Sequence, residues 1–419
     1  MLKYCIINTN STLFLRISRL QILEGIKVLD ITQYLAGPTV GRLMAELGAE
    51  VIKIEIAPDG DPSRSLPVSK NGTSGYFVQQ NRGKKSVGLD IKKQGSTQII
   101  KRLIKQADVF VENLGPGVLE KRKWDWKNVS KLNDRLVMAS ISMYGKTGHL
   151  SHKTGYDWAA QAFSGLMHMT GERNGPPTPV GIGIADVGAG VHAFAGIGMA
   201  LFHRMRTGRG QFVDISMVDA LFHMHDLSIQ GSSLSEDNWM PKRCGTHHEL
   251  IAPFGVFEGP TGFLVILSLQ RQWPLVCKAM DKPELIQDDR FHDLESRARN
   301  QNILKEIIES WAKRFRTNDE VLEIFESFRV PAAPVLEPNE AINHPYFKSR
   351  EQIREIYDDT LGRFLIPGFP FKFSDQKTLS LKAPYLGQHN REVVLEQLGF
   401  SEAEFLRFEK DNILVSKRN

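Results

Sequence analysis

Apolar positions in residues 26–142 occur either in short clusters or at helical spacing. Residues 26–31 (IKVLDI) and 51–55 (VIKIE) are short, mostly apolar segments typical of buried strands, and the stripe from Val40 to Leu47 repeats at i, i+3, i+4 and i+7. Gly48 follows this stripe at the place where a glycine commonly ends a helix. Strand, helix and strand at this spacing predict a βαβ unit with parallel strands.

The same alternation continues along the chain. A helix is predicted over 94–106, and further strands are predicted at 86–89, 108–112, 136–142 and 211–216. We therefore expect an α/β fold in which a doubly wound parallel sheet forms a large domain. A smaller α/β unit is expected after it, and a long apolar helix is predicted between Asp186 and Gly208.

Composition divides the rest of the chain. A polar, turn-rich segment and a proline-rich segment predict two linkers on either side of the small unit. The predicted layout is an N-terminal extension at 1–21, the first part of the large domain at 22–224, a linker at 225–244, the small domain at 245–330, a linker at 331–350 and a C-terminal part at 351–419.

The net charge and the number and spacing of cysteines indicate which partners and which cellular compartment to expect. The net charge of +5 over 419 residues is too small for a nucleic-acid-binding surface. Cys5, Cys244 and Cys277 are far apart, so neither a disulfide framework nor a zinc site is predicted. Such usage fits a reducing compartment, and we expect the cytoplasm.

The first 20 residues contain three basic side chains and no acidic one. Two interpretations stay open: a plain extension, or a leader that would direct the protein to the mitochondrial matrix. No apolar run approaches the roughly 20 residues that span a bilayer, so no membrane partner is expected.

Three common motifs of α/β enzymes are missing. The stretch after residues 26–31 lacks the G-x-G-x-x-G spacing of a dinucleotide site. Gly145, Lys146 and Thr147 resemble the end of a P-loop, but Ser140 stands where its first glycine is needed. No G-x-S-x-G elbow occurs, which argues against an α/β-hydrolase.

Asp186 stands among small residues just before the long apolar helix. As an N-cap it would stabilise that helix by about 1 kcal/mol. The same position favours an ionised carboxylate, which is the nucleophilic form. Its glycine-rich surroundings would admit a bulky acyl group or allow close helix packing, so both interpretations stay open.

Several segments together resemble one family. GIKVLDITQYLAGPTVGRLMAELGAEVIKIE, QNRGKKSVGLDIK, DVFVENLGPGVLEK, GYDWAAQAFSGLM and GIGIADVGAG follow each other in the order found in class III CoA-transferases, and the resemblance runs from Leu23 to Gly399. It implies a two-domain subunit whose C-terminal part returns to the large domain. It also implies an interlocked homodimer.

The resemblance implies a role for Asp186. In such enzymes this aspartate attacks an acyl-CoA and passes through an aspartyl-CoA thioester before CoA reaches a free carboxylic acid. CoA and acyl-CoA are then substrates, and no metal or permanently bound cofactor is expected. The partners implied are therefore an acyl-CoA, a small carboxylic acid and a second copy of the chain.

CoA contacts are also implied by the resemblance. Those at lysines have a plain alternative, because most surface lysines are simply solvated. The implied contacts are Leu35, Ala36, Leu89, Lys92, Asn113, Leu114, Gly115, Lys121, Lys153, Tyr156 and Asp157.

Two other functions remain as alternatives. Related 2-methylacyl-CoA racemases pair the aspartate with a histidine, because their 1,1-proton transfer needs two acid–base groups. This chain has Tyr156 in that position, and a tyrosine hydroxyl is a poor substitute at neutral pH. The second alternative is a CoA-binding protein without catalysis.

The loop around His247 and His248 bears on the substrate. It lacks the run of glycines of formyl-CoA:oxalate enzymes and is more similar to transferases that act on larger dicarboxylic acids such as succinate and glutarate. Either histidine could face the substrate or serve as an ordinary loop residue.

Overall fold

The computed structural model describes residues 21–71, 73–236, 238–376 and 378–417. The chain divides into two compact units. Among the described residues, the first unit comprises those within 21–164, 181–225 and 349–417, and the second comprises those within 165–180 and 226–348. The predicted extension at 1–21 lies outside the described residues apart from Gln21.

Strands and helices alternate along most of the chain. The strands are β1 (Lys27–Ile31), β2 (Glu50–Ile56), β3 (Ser69–Lys70), β4 (Thr73–Ser74), β5 (Lys84–Leu89), β6 (Val109–Glu112), β7 (Val137–Ser142), β8 (Phe212–Ser216), β9 (Phe254–Gly259), β10 (Gly262–Leu267), β11 (Ala332–Pro334), β12 (Ile353–Asp358), β13 (Gly362–Pro367) and β14 (Leu414–Val415). The α-helices are α1 (Ala36–Glu46), α2 (Gly75–Asn81), α3 (Ser96–Gln106), α4 (Val118–Arg122), α5 (Trp126–Val129), α6 (Asp157–Phe163), α7 (Leu166–Met169), α8 (Ile184–Thr207), α9 (Met217–His223), α10 (Ser228–Leu234), α11 (Trp273–Ala279), α12 (Leu294–Arg299), α13 (Gln301–Ala312), α14 (Asn318–Ser327), α15 (Pro338–Asn343), α16 (Pro345–Ser349) and α17 (Glu402–Lys410).

The first unit is built on one sheet with the strand order β14-β5-β2-β1-β6-β7-β8. The six strands from β5 to β8 are parallel, and the short β14 pairs antiparallel with β5 at one edge. This confirms the predicted doubly wound parallel sheet. The chain extends the sheet on one side of β1 and then on the other, so the strand order reverses between β1 and β6. Ligands of open α/β sheets bind beyond the strand ends at such a reversal.

The core of the first unit includes apolar residues of the C-terminal part. Val87, Leu89 and Phe110 from the sheet are fully buried, and they share one apolar cluster with Val393 and Leu414 from the C-terminal part. Burying apolar surface from both ends of the chain is the main force that holds the C-terminal part in this unit.

Helix α8 is the long helix predicted before Gly208. Its small residues allow close packing on α1, because a Cβ atom at Gly190 would lie only 2.6 Å from the backbone oxygen of Ala36. By length and composition alone the helix could also cross a membrane. It packs within the first unit on α1, α9, β7 and β8, which is typical of a core helix.

The second unit contains an antiparallel sheet of order β11-β10-β9 and helices packed on a core that includes Trp273 and Trp311. This unit includes more residues than the small domain predicted at 245–330. The segment predicted as a linker at 225–244 contains α10, and the proline-rich segment at 331–350 contributes β11 and α15. Proline is compatible with β11 because it is an edge strand, where one face of the backbone needs no partner.

Candidate functional site

A cavity of about 320 Å³ lies in the first unit, beyond the carboxyl ends of β1, β6 and β7. It therefore occupies the reversal point of the sheet, where the topology favours a ligand site. Its lining residues are Gln33, Tyr34, Ala36, Asn113, Leu114, Gly115, Pro116, Ile141, Ser142, Met143, Lys153, Thr154, Gly155, Tyr156, Asp186 and Met217.

The structure brings together seven of the residues predicted for the site. Those that line the cavity are Ala36, Asn113, Leu114, Gly115, Lys153, Tyr156 and Asp186. Leu35 and Asp157 lie just behind the lining, since both come close to Gly183 at the start of α8. Leu89, Lys92 and Lys121 are not part of the lining: Leu89 is fully buried in the core and the two lysines are exposed.

Asp186 is the third residue of α8, and Gly183 occupies the N-cap position. The N-cap interpretation of Asp186 is therefore wrong by three residues. The capping carboxylate is that of Asp157, at the start of α6, whose Oδ2 accepts hydrogen bonds from the amides of Ala185 (2.7 Å) and Asp186 (3.1 Å). Asp157 thus takes the favourable place for an anion at the helix N-terminus.

The carboxyl group of Asp186 is in an environment that disfavours its charge. Burial, and then the nearby Asp157 carboxylate, raise the pKa of Asp186 to about 7. Among the residues that the structure describes, no lysine or arginine forms an ion pair with it. The expectation that the helix N-terminus holds Asp186 ionised is therefore wrong at neutral pH, where both forms coexist. Such perturbed carboxyl groups cluster at functional sites.

Asn113 has a structural task in the cavity wall. Its Oδ1 accepts from the amide of Gln33 (2.8 Å), and its Nδ2 donates to the backbone oxygen of Gln33 (2.9 Å). The side chain therefore joins the loop after β6 to the loop after β1. Much of its hydrogen-bonding capacity is used within the protein, which leaves less for a ligand.

Two tyrosines near Asp186 were missed by the sequence reasoning. Tyr34 lines the cavity, and its ring meets the ring of Tyr156 edge-on at a centroid distance of 6.1 Å. Burial, followed by the carboxylates of Asp186, Asp61 and Asp157, raises the pKa of Tyr76, which keeps its hydroxyl protonated. The sequence could have indicated Tyr34 as a site residue, because it lies three residues after the end of β1, where ligands of α/β sheets bind. Tyr76 comes from α2 and carries no comparable signal.

The glycines beside Asp186 are explained by packing. A Cβ atom at Gly183 would lie 2.6 Å from Cδ2 of Leu35, and Gly190 faces the backbone of α1. Of the two interpretations of these glycines, the structure favours close helix packing over space for an acyl group.

The two loop histidines belong to the second unit and make contacts within it. His247 is buried, and its Nδ1 lies 2.9 Å from Oγ1 of Thr246. Nδ1 of His248 accepts from the amide of Leu250 at 3.1 Å. Across the described ranges, no group of three or more His, Cys, Asp or Glu side chains is arranged to hold a metal ion.

Comparison with known proteins places this geometry in a family. The family model of CoA-transferase family III matches residues 23–390. The chain is 34% identical to succinyl-CoA:glutarate CoA-transferase of Mus musculus, over 91% of this chain and 87% of that protein. It is also 34% identical to succinyl-CoA:mesaconate CoA-transferase of Haloarcula hispanica, over 89% of this chain and 96% of that protein. A CAIB/BAIF family protein from Brucella suis has a similar crystal structure, with a TM-score of 0.77, 30% identity and coverage of 90% and 100% of the two chains.

Proposed function

Because the chain belongs to CoA-transferase family III, we propose that it moves CoA from an acyl-CoA to a free carboxylic acid with Asp186 as the nucleophile. The observation that carries this proposal is the state of that one side chain. Asp186 lines the cavity at the sheet reversal, has no ion pair among the described residues, and has a pKa raised to about 7. A carboxylate without a structural partner is free to form a covalent bond.

The first half of the reaction loads CoA onto the protein. An ionised oxygen of Asp186 attacks the thioester carbonyl of the donor, the carbon–sulfur bond breaks, and CoA leaves as a thiolate. The product is a mixed anhydride between Asp186 and the donor acid. The thiolate then attacks the Asp186 carbonyl carbon, which releases the donor as a free carboxylate and leaves an aspartyl-CoA thioester.

The second half repeats these steps with the acceptor. The acceptor carboxylate attacks the aspartyl thioester and displaces the thiolate, which gives a second mixed anhydride. The thiolate attacks the carbonyl carbon of the acceptor, and this forms the new acyl-CoA and restores the Asp186 carboxylate. Each bond broken is matched by one formed, and no outside proton or electron is consumed.

The fixed backbone around Asp186 supports this chemistry. Two hydrogen bonds from the start of α8 to Asp157 hold the peptide that carries the nucleophile. A near-attack position must be kept through four successive steps, so a rigid backbone lowers the entropic part of each barrier. We assign Ala36, Gly115 and Lys153, which line the cavity, as contacts of CoA.

For the substrates, we propose succinyl-CoA as donor and a dicarboxylic acid as acceptor. Two relatives support this proposal: one is a succinyl-CoA:glutarate CoA-transferase and the other is a succinyl-CoA:mesaconate CoA-transferase. Exchange assays with succinyl-CoA and separate samples of glutarate, mesaconate and oxalate would test this. Exchange with oxalate alone would contradict it.

We also propose an interlocked homodimer in a reducing compartment, the cytoplasm or the mitochondrial matrix. The outer face of α8 supports a dimer, because Met199, Phe202 and Met205 are more than half exposed and such apolar patches favour association. Light scattering should give a particle of twice the 47.3 kDa of one chain. A particle of one chain mass at micromolar concentration would contradict the dimer.

Hydroxylamine trapping tests the covalent step. The protein is mixed with succinyl-CoA and hydroxylamine, which converts an activated carboxyl group to a hydroxamate, and is then mapped by mass spectrometry. We expect the hydroxamate at Asp186 and none in an Asp186→Asn variant. Modification at Asp157 instead would overturn the assignment of the nucleophile.

The same samples separate the two alternative functions. CoA binding without exchange for any acid would indicate a binding protein. Solvent deuterium entering C2 of a 2-methylacyl-CoA, without transfer, would indicate racemase chemistry.

A further inference from the structure

The loop between β1 and α1 holds an unfavourable backbone conformation at Tyr34. Its φ angle is +63°, in the left-handed region that a residue with a side chain seldom adopts. Such a conformation persists only where the surroundings enforce it, and it commonly occurs at functional sites.

Asp61 supplies the enforcing contact at Tyr34. Its Oδ1 accepts hydrogen bonds from the amides of Tyr34 (3.1 Å) and Ser63 (2.9 Å), so one carboxylate oxygen joins two loops. The other oxygen, Oδ2, lies 2.9 Å from Nζ of Lys53, and both side chains are fully buried. Lys53 also donates to the backbone oxygen of Thr32 at 2.6 Å, two residues before Tyr34.

The position of the pair explains why it matters for the cavity. Tyr34 and Ala36 line the cavity together with Asp186. Lys53 and Asp61 lie outside this lining, so any effect they have on chemistry must pass through the loop. A shift of about 1 Å in such a loop is enough to lower a rate about 100-fold.

We propose that Asp61, held by Lys53, is a positioning residue for CoA transfer, because it fixes the left-handed Tyr34 and thereby the loop of residues 33–36 beside Asp186. This inference rests on the proposed function for its kinetic part alone. Its structural part concerns the Tyr34 amide and is measurable without any activity.

A second buried ion pair in the same unit provides a matched control. Arg82 and Glu46 are 2.7 Å apart and almost completely buried, and Glu46 also pairs with Arg354 at 2.9 Å. Glu46 is the last residue of α1, whereas Ala36 is the first, so about 15 Å of helix separates this pair from the cavity wall. Neither residue lines the cavity.

The experiment compares Asp61→Ala, Asp61→Asn and Glu46→Ala with the parent protein. Hydrogen exchange followed by mass spectrometry reports on the Tyr34 amide, and steady-state kinetics with succinyl-CoA is measured well below the lowest Tm. We expect Asp61→Ala to increase exchange at Tyr34 at least 10-fold. We expect its kcat to fall at least 10-fold, while KM for succinyl-CoA changes less than about 3-fold.

The other two variants separate positioning from stability. In Asp61→Asn the amide oxygen can still accept from Tyr34, while Lys53 loses the opposite charge that lay 2.9 Å away. We therefore expect Tm to fall and kcat to stay within about 3-fold. Glu46→Ala should also lower Tm and leave kcat within about 2-fold. If Asp61→Ala does not fold, Asp61→Ser replaces it, because the shorter side chain withdraws the acceptor from Tyr34.

Two results would overturn the proposal: unchanged exchange at Tyr34 in the variant lacking the acceptor, or an equal loss of kcat in Glu46→Ala. If the parent protein transfers no CoA, the proposed function fails, and the exchange measurement still decides the role of Asp61.

Discussion

Two pairs of carboxylates in the first unit are both withdrawn from water, and they differ in the cations beside them. Beneath the loop after β1, Asp30 lies 2.8 Å from Nζ of Lys84, and Asp61 lies 2.9 Å from Nζ of Lys53. Burial opposes ionisation of both carboxylates, but the lysines more than offset it and lower the pKa of each.

At the start of α8 the neighbour of the carboxylate is another carboxylate. Burial and Asp157 raise the pKa of Asp186 to about 7, and no cation pairs with Asp186 among the described residues. Matched charges hold a backbone in place, whereas an unmatched carboxylate is left available for chemistry. The contrast predicts opposite responses when a charge is removed from each cluster.

The largest effect is expected from Asp186→Asn. We expect kcat/KM for CoA transfer to fall at least about 10³-fold, because the amide cannot act as the nucleophile. Stability should change the other way. The pKa of Asp186 is raised in the folded state, so its stabilising contribution is lost as pH rises through about 7.

At pH 8 the amide should therefore raise the free energy of unfolding, on the order of 1 kcal/mol after allowance for screening. Urea denaturation and exchange assays on the same preparation check both parts. Activity close to that of the parent protein would show that Asp186 is not the nucleophile and is a structural carboxylate like Asp30 and Asp61.

The second-largest effect, a loss of stability, is expected from Lys53→Met. Removing the ammonium leaves Asp61 buried without its counter-charge, which costs about 3–5 kcal/mol of stability. Urea denaturation measures this loss. Adding Asp61→Asn to Lys53→Met should recover part of it, since both charges are then gone. A double variant less stable than Lys53→Met would show that the two charges are not a matched pair.

A smaller loss of stability is expected from a change at the contact between α1 and α8. Gly190→Ala places a Cβ atom 2.6 Å from the backbone oxygen of Ala36, so the helices must separate at a cost of about 1–3 kcal/mol. Gly198→Ala in the same helix is the control, since nothing lies within 4 Å of its Cβ position.

In the control, the better helix propensity of alanine should add up to about 1 kcal/mol. Thermal denaturation of the two variants gives the comparison directly. A loss at Gly198→Ala would mean that the second chain of the proposed dimer packs on this face of α8, which also exposes Phe202 and Met205, and Gly190→Ala would then be compared with the parent protein alone.

Sequence patterns predicted the sheet well, for a physical reason. Parallel strands are buried on both faces, so β1, β2 and β6 each appear as a short, predominantly apolar segment. The reversal between β1 and β6 then determines where a ligand site belongs, and the turn that contains Asn113 and Gly115 lies there.

The parts that could not be predicted depend on contacts between distant residues. The carboxylate that caps α8 belongs to Asp157, 28 residues before Ala185, whose amide donates to it. The local spacing around Asp186 therefore suggested the wrong capping residue. The pairing of Lys53 with Asp61 is likewise not visible in the sequence, because β2 also contains Glu50 and Glu55 and the pattern does not show which carboxylate pairs with its lysine. The number of residues in the second unit was underestimated because β11 lies in a proline-rich segment, and such composition is usually associated with linkers.

The smallest effect is expected from Asp157→Asn, and it separates the two causes that act on Asp186. The reaction needs the ionised form, so kcat/KM of the parent protein should rise with pH through about 7. Asp157 is the second cause of the raised pKa, after burial. Removing its charge favours ionisation of Asp186, so the rising limb should move to lower pH by less than the full shift.

The control for this shift is a carboxylate of the other cluster. In Asp30→Asn the pH profile should keep its midpoint near 7, even if the maximal rate falls, because Asp30 is not among the causes that act on Asp186. An unchanged midpoint in Asp157→Asn would mean that burial alone sets the pKa of Asp186. The distinction between the two clusters would then rest on the missing cation and not on the neighbouring carboxylate.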